Sequence, residues 1–259
     1  MITGGASGLG RELARRLSGR GNLCLLDRDA DRLAQVAEEL SAGRESTSLL
    51  HYAVDVTDAS ASLEAVQSCC SHFGRLDALF LCAGQSMWAR ADEIQDLSIF
   101  RRLVEVNYLG AVHCIIPALP ALRASRGSIV AISSLQGDLG LPLHSGYSAA
   151  KHALNGFLES LWFELGDEVH ILTVMPGWIR GTRLREHALT GTGQPPARPR
   201  RHSKESVSVE ECAELVIQAW ENRKSRLYIP GKLALLPWLF RLSPRLVRRL
   251  LSRAIAQQQ

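Results

Sequence analysis

Tyr147 and Lys151 stand four residues apart in the stretch YSAAK, and Lys151 is the only lysine before position 204. Arginine supplies every other strong cation in that span. In a helix, residues four apart share a face, so the phenol and the ammonium would project together. A nearby ammonium favours tyrosinate and draws the phenol down from about 10 toward working pH, which makes it a usable general acid/base. Lysine is a compact charge with rotatable donors, able also to hold ribose hydroxyls, whereas arginine is a bulkier planar fork. Random composition gives about 0.06 Tyr-x-x-x-Lys pairs in such a chain. Two occur, but Tyr228 and Lys232 have Pro and Gly between them, so no helix aligns that pair. Spacing carries weight only in a helix.

A second chemical signal opens the chain. TGGASGLG (3–10) runs directly into RELARRL. Gly4, Gly8 and Gly10 would let the backbone turn tightly and admit a pyrophosphate, with Ser7 and Leu9 in the same loop and the helix N-terminus facing the phosphates. The next apolar run ends at Asp27, seventeen residues after Gly10. An acid there accepts hydrogen bonds from the adenosine ribose and repels a 2′-phosphate, which favours NAD. A solvated turn residue is the plain alternative for Asp27. Arg28 and Arg11 leave NADP open.

These residues need elements to position them. Strand-like apolar runs cover 22–27, 48–56, 76–84, 127–134, 169–177 and 226–231, and helical patterns cover 8–19, 30–41, 59–73, about 98–124, 147–166 and 208–223. The last opens SVEE, a capping-box pattern with Ser208 as N-cap. Continuous apolar strands alternating with helices imply an α/β fold, a doubly wound, mostly parallel sheet with helices on both faces. One catalytic domain is expected over 1–231. Residues 183–206, rich in Gly, Pro and Arg, read as a mobile substrate loop. Only Met1 and Ile2 precede the first loop residue, Thr3, so the first strand is expected either to be a stub or to begin upstream.

Bulk properties narrow the partners. The 259 residues carry a net charge of +4, with no long basic run mixed with aromatics, so no nucleic-acid partner is expected. Six cysteines show no C-x-x-C pair and no metal-ligand spacing, which implies reduced thiols in a cytoplasmic setting and no metal site. No apolar run approaches the roughly 20 residues of a membrane span. Residues 232–259 contain six basic and no acidic residues. After the apolar run LALLPWLF, a helix start at Ser243 and Pro244 places Leu246, Val247, Leu250, Leu251 and Ala254 on one side. Arg245, Arg249 and Arg253 line another, with Arg248 beside them. Such a tail suits peripheral contact with an anionic membrane. Packing on a subunit partner or over the substrate pocket is the alternative.

Taken in order, TGGASGLG, DVTD (55–58), CAG (82–84), VNYLG (106–110), ISS (132–134), YSAAK (147–151) and PGWI (176–179) resemble the short-chain dehydrogenase/reductase family over nearly the whole chain. The resemblance implies a Rossmann-like domain and hydride transfer between a nicotinamide dinucleotide and an alcohol or ketone, in a homo-oligomer such as a dimer or tetramer. Tyr147 would exchange the proton, Ser134 would polarise the substrate carbonyl, Lys151 would tune Tyr147 and bind the nicotinamide ribose, and Asn107 would hold a relaying water. Asp55 and Val56 would flank the adenine, and Ala83 and Gly84 would pass the ribose. Pro176, Gly177, Ile179 and Thr182 would line the nicotinamide side, Ile179 through its backbone. Ser7, where NADP-preferring relatives often carry a basic residue, favours NAD. This chain departs from the family at Leu81 and Cys82, where two amides are usual, and at Gly181, which displaces the expected threonine to Thr182. Trp88, Leu141, His144, Trp178 and the 183–206 loop are candidates for an apolar substrate pocket. A dinucleotide-binding sensor without turnover is the rival class.

Overall fold

The computed structural model of the chain describes residues 1–42, 48–196 and 206–249. Its core is a seven-stranded, wholly parallel sheet. In chain order the strands are β1 (Ile2–Thr3), β2 (Leu23–Asp27), β3 (Leu49–Ala53), β4 (Ala78–Leu81), β5 (Ser128–Ile132), β6 (His170–Pro176) and, after a two-strand ribbon of β7 (Ile179–Arg180) and β8 (Val207–Ser208), β9 (Arg226–Ile229). Their spatial order is β3-β2-β1-β4-β5-β6-β9. The order reverses between β1 and β4, and the crevice beyond the carboxyl ends there is where doubly wound sheets bind ligands.

Period-two alternation explains how continuous apolar strands serve two cores. Leu25, Phe80, Val130 and Leu172 face helices α1 (Gly8–Leu17), α2 (Ala30–Ser41) and α7 (Val209–Glu221) through Leu13, Leu33 and Val216. Their neighbours Leu26, Leu79, Ile129 and Ile171 face α3 (Ala59–Phe73), α5 (Gly110–Ser125) and α6 (Ser145–Leu165) through Val66, Ile115 and Leu158. The stub-like β1 lies at the centre, its register set by Ile2 opposite Leu25 and Phe80. Helix ends follow their caps: Asp29 accepts from Arg32 N–H, Asp58 from Ala61 N–H and Ser208 from Glu211 N–H.

The long helical pattern at 98–124 is interrupted. Helix α4 (Ser98–Val104) passes through a π-helical turn, Glu105–Leu109, before α5 begins. The run Ser98–Ser125 is long and apolar enough to cross a membrane by length and composition, yet α5 packs against α3 in the second core.

Part of the 183–206 segment, after β7, packs against the body of the protein. Leu189 forms a bridge to Met87, Trp88 N–H donates to Leu189 O (2.8 Å), and Leu189 N–H donates to Ser86 O (2.9 Å). Ala188 and Leu189 are buried, and Gly191 O receives Gln95 N–H at 2.9 Å. Two apolar anchors thus pin a Gly- and Pro-rich stretch. Residues 197–205 of that loop lie outside the described residues, as do Leu250, Leu251, Arg253 and Ala254 of the tail.

Candidate active site

The glycine loop is forced by close backbone approach. Gly4 has φ +66°, and a Cβ there would stand 2.9 Å from Ala83 N; a Cβ on Gly10 would stand 2.2 Å from Gly4 O. Thr3 Oγ1 accepts from Cys82 N–H (3.1 Å) and Ala83 N–H (3.2 Å), tying the end of β1 to the turn after β4. Those bonds brace the sheet edge where the usual amides are replaced by Leu81 and Cys82. Ser7 sits at the N-cap position of α1 without a side-chain capping bond, and Ser7, Gly8, Leu9 and Gly10 line the crevice, which leaves first-turn N–H groups for a ligand.

The sequence-derived residues, Arg11 and Leu141 excepted, line one cleft. Gly4, Ser7, Gly8, Leu9, Gly10, Asp27, Arg28, Asp55 and Val56 form one end. Ala83, Gly84 and Asn107 form the middle, and Ser134, Tyr147, Lys151, Pro176, Gly177, Ile179 and Thr182 close the other. Asp27 does more than face the cleft: its carboxylate accepts Ala6 N–H (3.0 Å) and Asp29 N–H (3.1 Å), so it also holds the glycine loop. Asp55 accepts both the N–H (3.0 Å) and the hydroxyl (2.9 Å) of Thr57. Arg11 does not reach the cleft and is corrected as a cofactor contact: its guanidinium pairs with Glu39 at 2.6 Å on the surface. Thr182, displaced by Gly181, still lies beside Gly8. This donor set fits a dinucleotide: free helix N–H groups and side-chain-free glycines for a pyrophosphate, and acids at the ribose end.

At the other end, helix α6 opens two residues before Tyr147, so Tyr147 and Lys151 share its inner face. Ser134 caps the short turn after β5; its Oγ accepts Gln136 N–H at 3.1 Å, lies 3.5 Å from Pro176 O, and exerts a downward pull on the Tyr147 pKa. Lys151 Nζ donates to Ile132 O at 2.9 Å and lies 5.8 Å from the Tyr147 ring centroid. Burial dominates both groups. It pushes Tyr147 up to about 12, against a downward pull from Ser134, and brings Lys151 down to about 8. In this structure desolvation, not Lys151, is the largest influence on the Tyr147 pKa.

Asn107 sits in the π-helical turn, which aims it inward. Its Nδ2 donates to Gln85 O (2.8 Å) and Leu103 O (2.9 Å), and Oδ1 accepts Gln85 N–H (3.2 Å). These are the bonds of a helix residue bracing a neighbouring turn. Oδ1 also flanks Gly84, where Lys151 Nζ approaches from the other side.

Above Tyr147 the cleft has an aromatic roof. His144 packs edge-on against Trp88 with centroids 4.8 Å apart and lies 5.8 Å from Trp178. The Arg185 guanidinium stacks 4.1 Å from the Trp178 ring. Leu141 does not join this lining. Sequence reasoning missed Gln85, Gln136 and Arg185, which also line the cleft. Gln85 Oε1 is buried without a hydrogen-bond partner among the described residues. Gln85 directly follows the CAG motif and Arg185 lies in the 183–206 loop, named for the pocket only as a whole, whereas nothing in the local sequence marks Gln136.

The sheet reversal, the glycine loop and the Ser-Tyr-Lys set define a nucleotide-binding α/β protein with a proton-transfer group at the end of its cleft. Residues 1–191 match the sequence family described as short chain dehydrogenase, and the chain belongs to that family. It is 36% identical over 195 residues to 11-beta-hydroxysteroid dehydrogenase 1A of Arabidopsis thaliana, covering 75% of this chain and 56% of that protein. The chain thus spans little more than half of that relative's length. A short chain dehydrogenase of Burkholderia cenocepacia in complex with NADP superposes with a TM-score of 0.77 at 22% identity, covering 96% of this chain and 95% of that one. Another, from Mycobacterium paratuberculosis and bound to NAD, gives 0.74 at 23% identity, with 89% and 95% covered.

Proposed function

We propose that the protein is an oxidoreductase that transfers a hydride between a nicotinamide dinucleotide, NAD favoured, and an apolar secondary alcohol or its ketone. The observation that carries this is the buried Ser134, Tyr147 and Lys151 set at the end of the dinucleotide-shaped cleft. A bound nicotinamide supplies or accepts the hydride, and the protein supplies orientation and the proton. In the reductive direction the Ser134 hydroxyl donates to the substrate oxygen and Tyr147 releases its proton to that oxygen. Burial keeps the Tyr147 phenol protonated at neutral pH, so its proton is available to the substrate oxygen in that direction. Lys151 spends one N–H on Ile132 O and keeps two for ribose hydroxyls. Trp88, His144 and Trp178 offer a largely aromatic lining, which suits a polycyclic or lipid-like substrate, in line with the hydroxysteroid name of the plant relative.

NADP is the second reading, favoured by cations at the adenosine end. Arg28 and Arg183 both line it, beside a His187 whose pKa is lowered by burial and by these arginines, and a 2′-phosphate there would meet positive charge as well as Asp27. Exposed Ile116 on α5 with Trp162 and Phe163 on α6 supports a homo-oligomer, and the absence of paired cysteines among the described residues suits a cytoplasmic setting. The test is a screen of ketones and alcohols followed by nicotinamide absorbance with NAD and NADP side by side. Tyr147→Phe should abolish turnover while leaving dinucleotide affinity within about threefold. Near-normal turnover in that variant would remove the assignment, and tighter binding of NADP than NAD would reverse the cofactor preference.

A further inference from the structure

The described part of the tail does not fold back into the core. A short turn, Gly231–Ala234, leads into α8 (Leu235–Leu242), and residues 244–249 form a further helical stretch. Pro237 falls in the first turn of α8, where a missing N–H costs no helical bond. Leu235, Trp238, Leu239, Phe240, Leu242 and Leu246 are all exposed, Leu242 by 82% and Trp238 by 66%. Val247 is fully buried, in contrast to the exposed apolar side chains around it. Such a concentration of large apolar side chains on about a dozen residues is unusual for a surface that meets only water.

Charge decides what that surface fits. Arg241, Arg245, Arg248 and Arg249 are exposed among these residues, and the Arg241 guanidinium lies 5.7 Å from the Trp238 ring. No acidic residue occurs after Glu221. A partner protein surface would have to be apolar and acidic together. An anionic bilayer supplies both, with headgroup charge for the arginines and an acyl boundary for Trp, Phe and Leu. The surface also adjoins the cleft: the Leu233 side chain reaches within 2.7 Å of the place a Gly177 Cβ would take, and Gly177 lines the nicotinamide end.

We propose that the face formed by α8 and residues 244–249 docks the protein on an anionic membrane surface, with the substrate end of the cleft beside the bilayer. The docking itself stands on this surface alone; delivery of an apolar substrate from the lipid rests on the function proposed above.

The test uses the full chain in co-sedimentation with vesicles of phosphatidylcholine alone and of phosphatidylcholine with phosphatidylserine. Binding to the anionic vesicles should exceed binding to the neutral ones and fall with salt. A nearby cation contributes roughly fivefold in partitioning, so the triple change Arg241→Gln, Arg245→Gln, Arg248→Gln should weaken it by about 100-fold. The pair Trp238→Ser, Leu242→Ser should weaken binding to both vesicle types. Turnover of a water-soluble alcohol without vesicles should be unchanged in every variant, since none of these residues lines the cleft. Failure of the unmodified chain to sediment with anionic vesicles, or equal sedimentation of the variants, overturns the proposal even if that turnover is normal. A self-associated species in ultracentrifugation that Trp238→Ser, Leu242→Ser disperses, without vesicle binding, overturns it in favour of a second copy of the chain. Loss of soluble-alcohol turnover in the unmodified chain would instead remove the proposed function and leave docking to stand on sedimentation.

Discussion

Replacing Lys151 with methionine should cost activity and yet stabilise the fold at neutral pH, by an amount that pH can switch off. The ammonium is buried, and its pKa falls from 10.5 to about 8, chiefly by desolvation. At ~1.4 kcal/mol per pH unit, that fall is a folding penalty of roughly 3 kcal/mol. Methionine fills similar volume without charge but leaves Ile132 O without its 2.9 Å donor, which costs about 1–2 kcal/mol. The net gain at pH 7 is therefore about 1–2 kcal/mol, or roughly 2–8 °C in Tm. The penalty is present in full below about 8, where lysine is charged in both states. It fades as pH rises to 10.5, because the folded state sheds its proton first and the unfolded state binds more protons across that window. The stability difference between variant and parent should thus move by roughly 3 kcal/mol against methionine between pH 7 and pH 10.5. Tyr147 titrates in both proteins and cancels to first order. Urea unfolding of both chains across that range measures the difference directly. A difference that stays constant with pH would refute the claim that Lys151 is charged and desolvated in the fold.

The pH profile of turnover should be asymmetric: reduction should fall above about 8 as Lys151 loses its charge, while oxidation should rise with pH as the Tyr147 proton becomes removable. Gly10→Ala should weaken dinucleotide binding at least tenfold in a fluorescence titration and lower Tm, because its Cβ would sit 2.2 Å from the Gly4 carbonyl, which is backbone and cannot swing away. Asp27→Ala should narrow or reverse the NAD preference in paired titrations, and should also lower Tm by a few degrees through loss of the Ala6 N–H bond. Phe163→Glu should shift the sedimentation coefficient toward a smaller species, since 78% of this phenylalanine is exposed on a helix face that a subunit partner would cover.

Local signals proved sufficient for most elements. Helices 30–41 and 59–73 end where the sequence places them, because Asp29 and Asp58 cap their starts and Gly74, at φ +68°, ends the second. Strands were legible as apolar runs, although the runs overreach by one to five residues in total at the strand ends, as at 76–84 against Ala78–Leu81. Long-range effects were not legible. The ribbon pairing Ile179 with Val207 joins residues 28 apart, and the anchoring of Leu189 on Met87 turns a stretch of loop composition into packed structure. The π-helical turn at Glu105–Leu109 is likewise a product of packing, since its sequence continues an ordinary helical pattern.

The site divides along the same line. Which residues meet is a matter of periodicity: a four-residue step on a helix joins Tyr147 to Lys151, and a glycine loop beside a strand end joins Gly4 to Asp27. How they titrate is a matter of depth, and depth belongs to the assembled fold. Tyr147 lies beside His144, which packs with Trp88 and Trp178 from two other parts of the chain, and burial of Tyr147 and Lys151 raises one pKa while lowering the other. The two groups are brought from 10.5 and 10.0 in opposite directions, which separates the proton donor from the electrostatic partner instead of merging them into a shared tyrosinate. A Tyr-Lys pair exposed on a surface helix would have the same spacing and neither property. The lysine at 151 therefore does two things an arginine could not: it yields its charge within reach of physiological pH when buried, and it places a point donor between a strand carbonyl and the cleft.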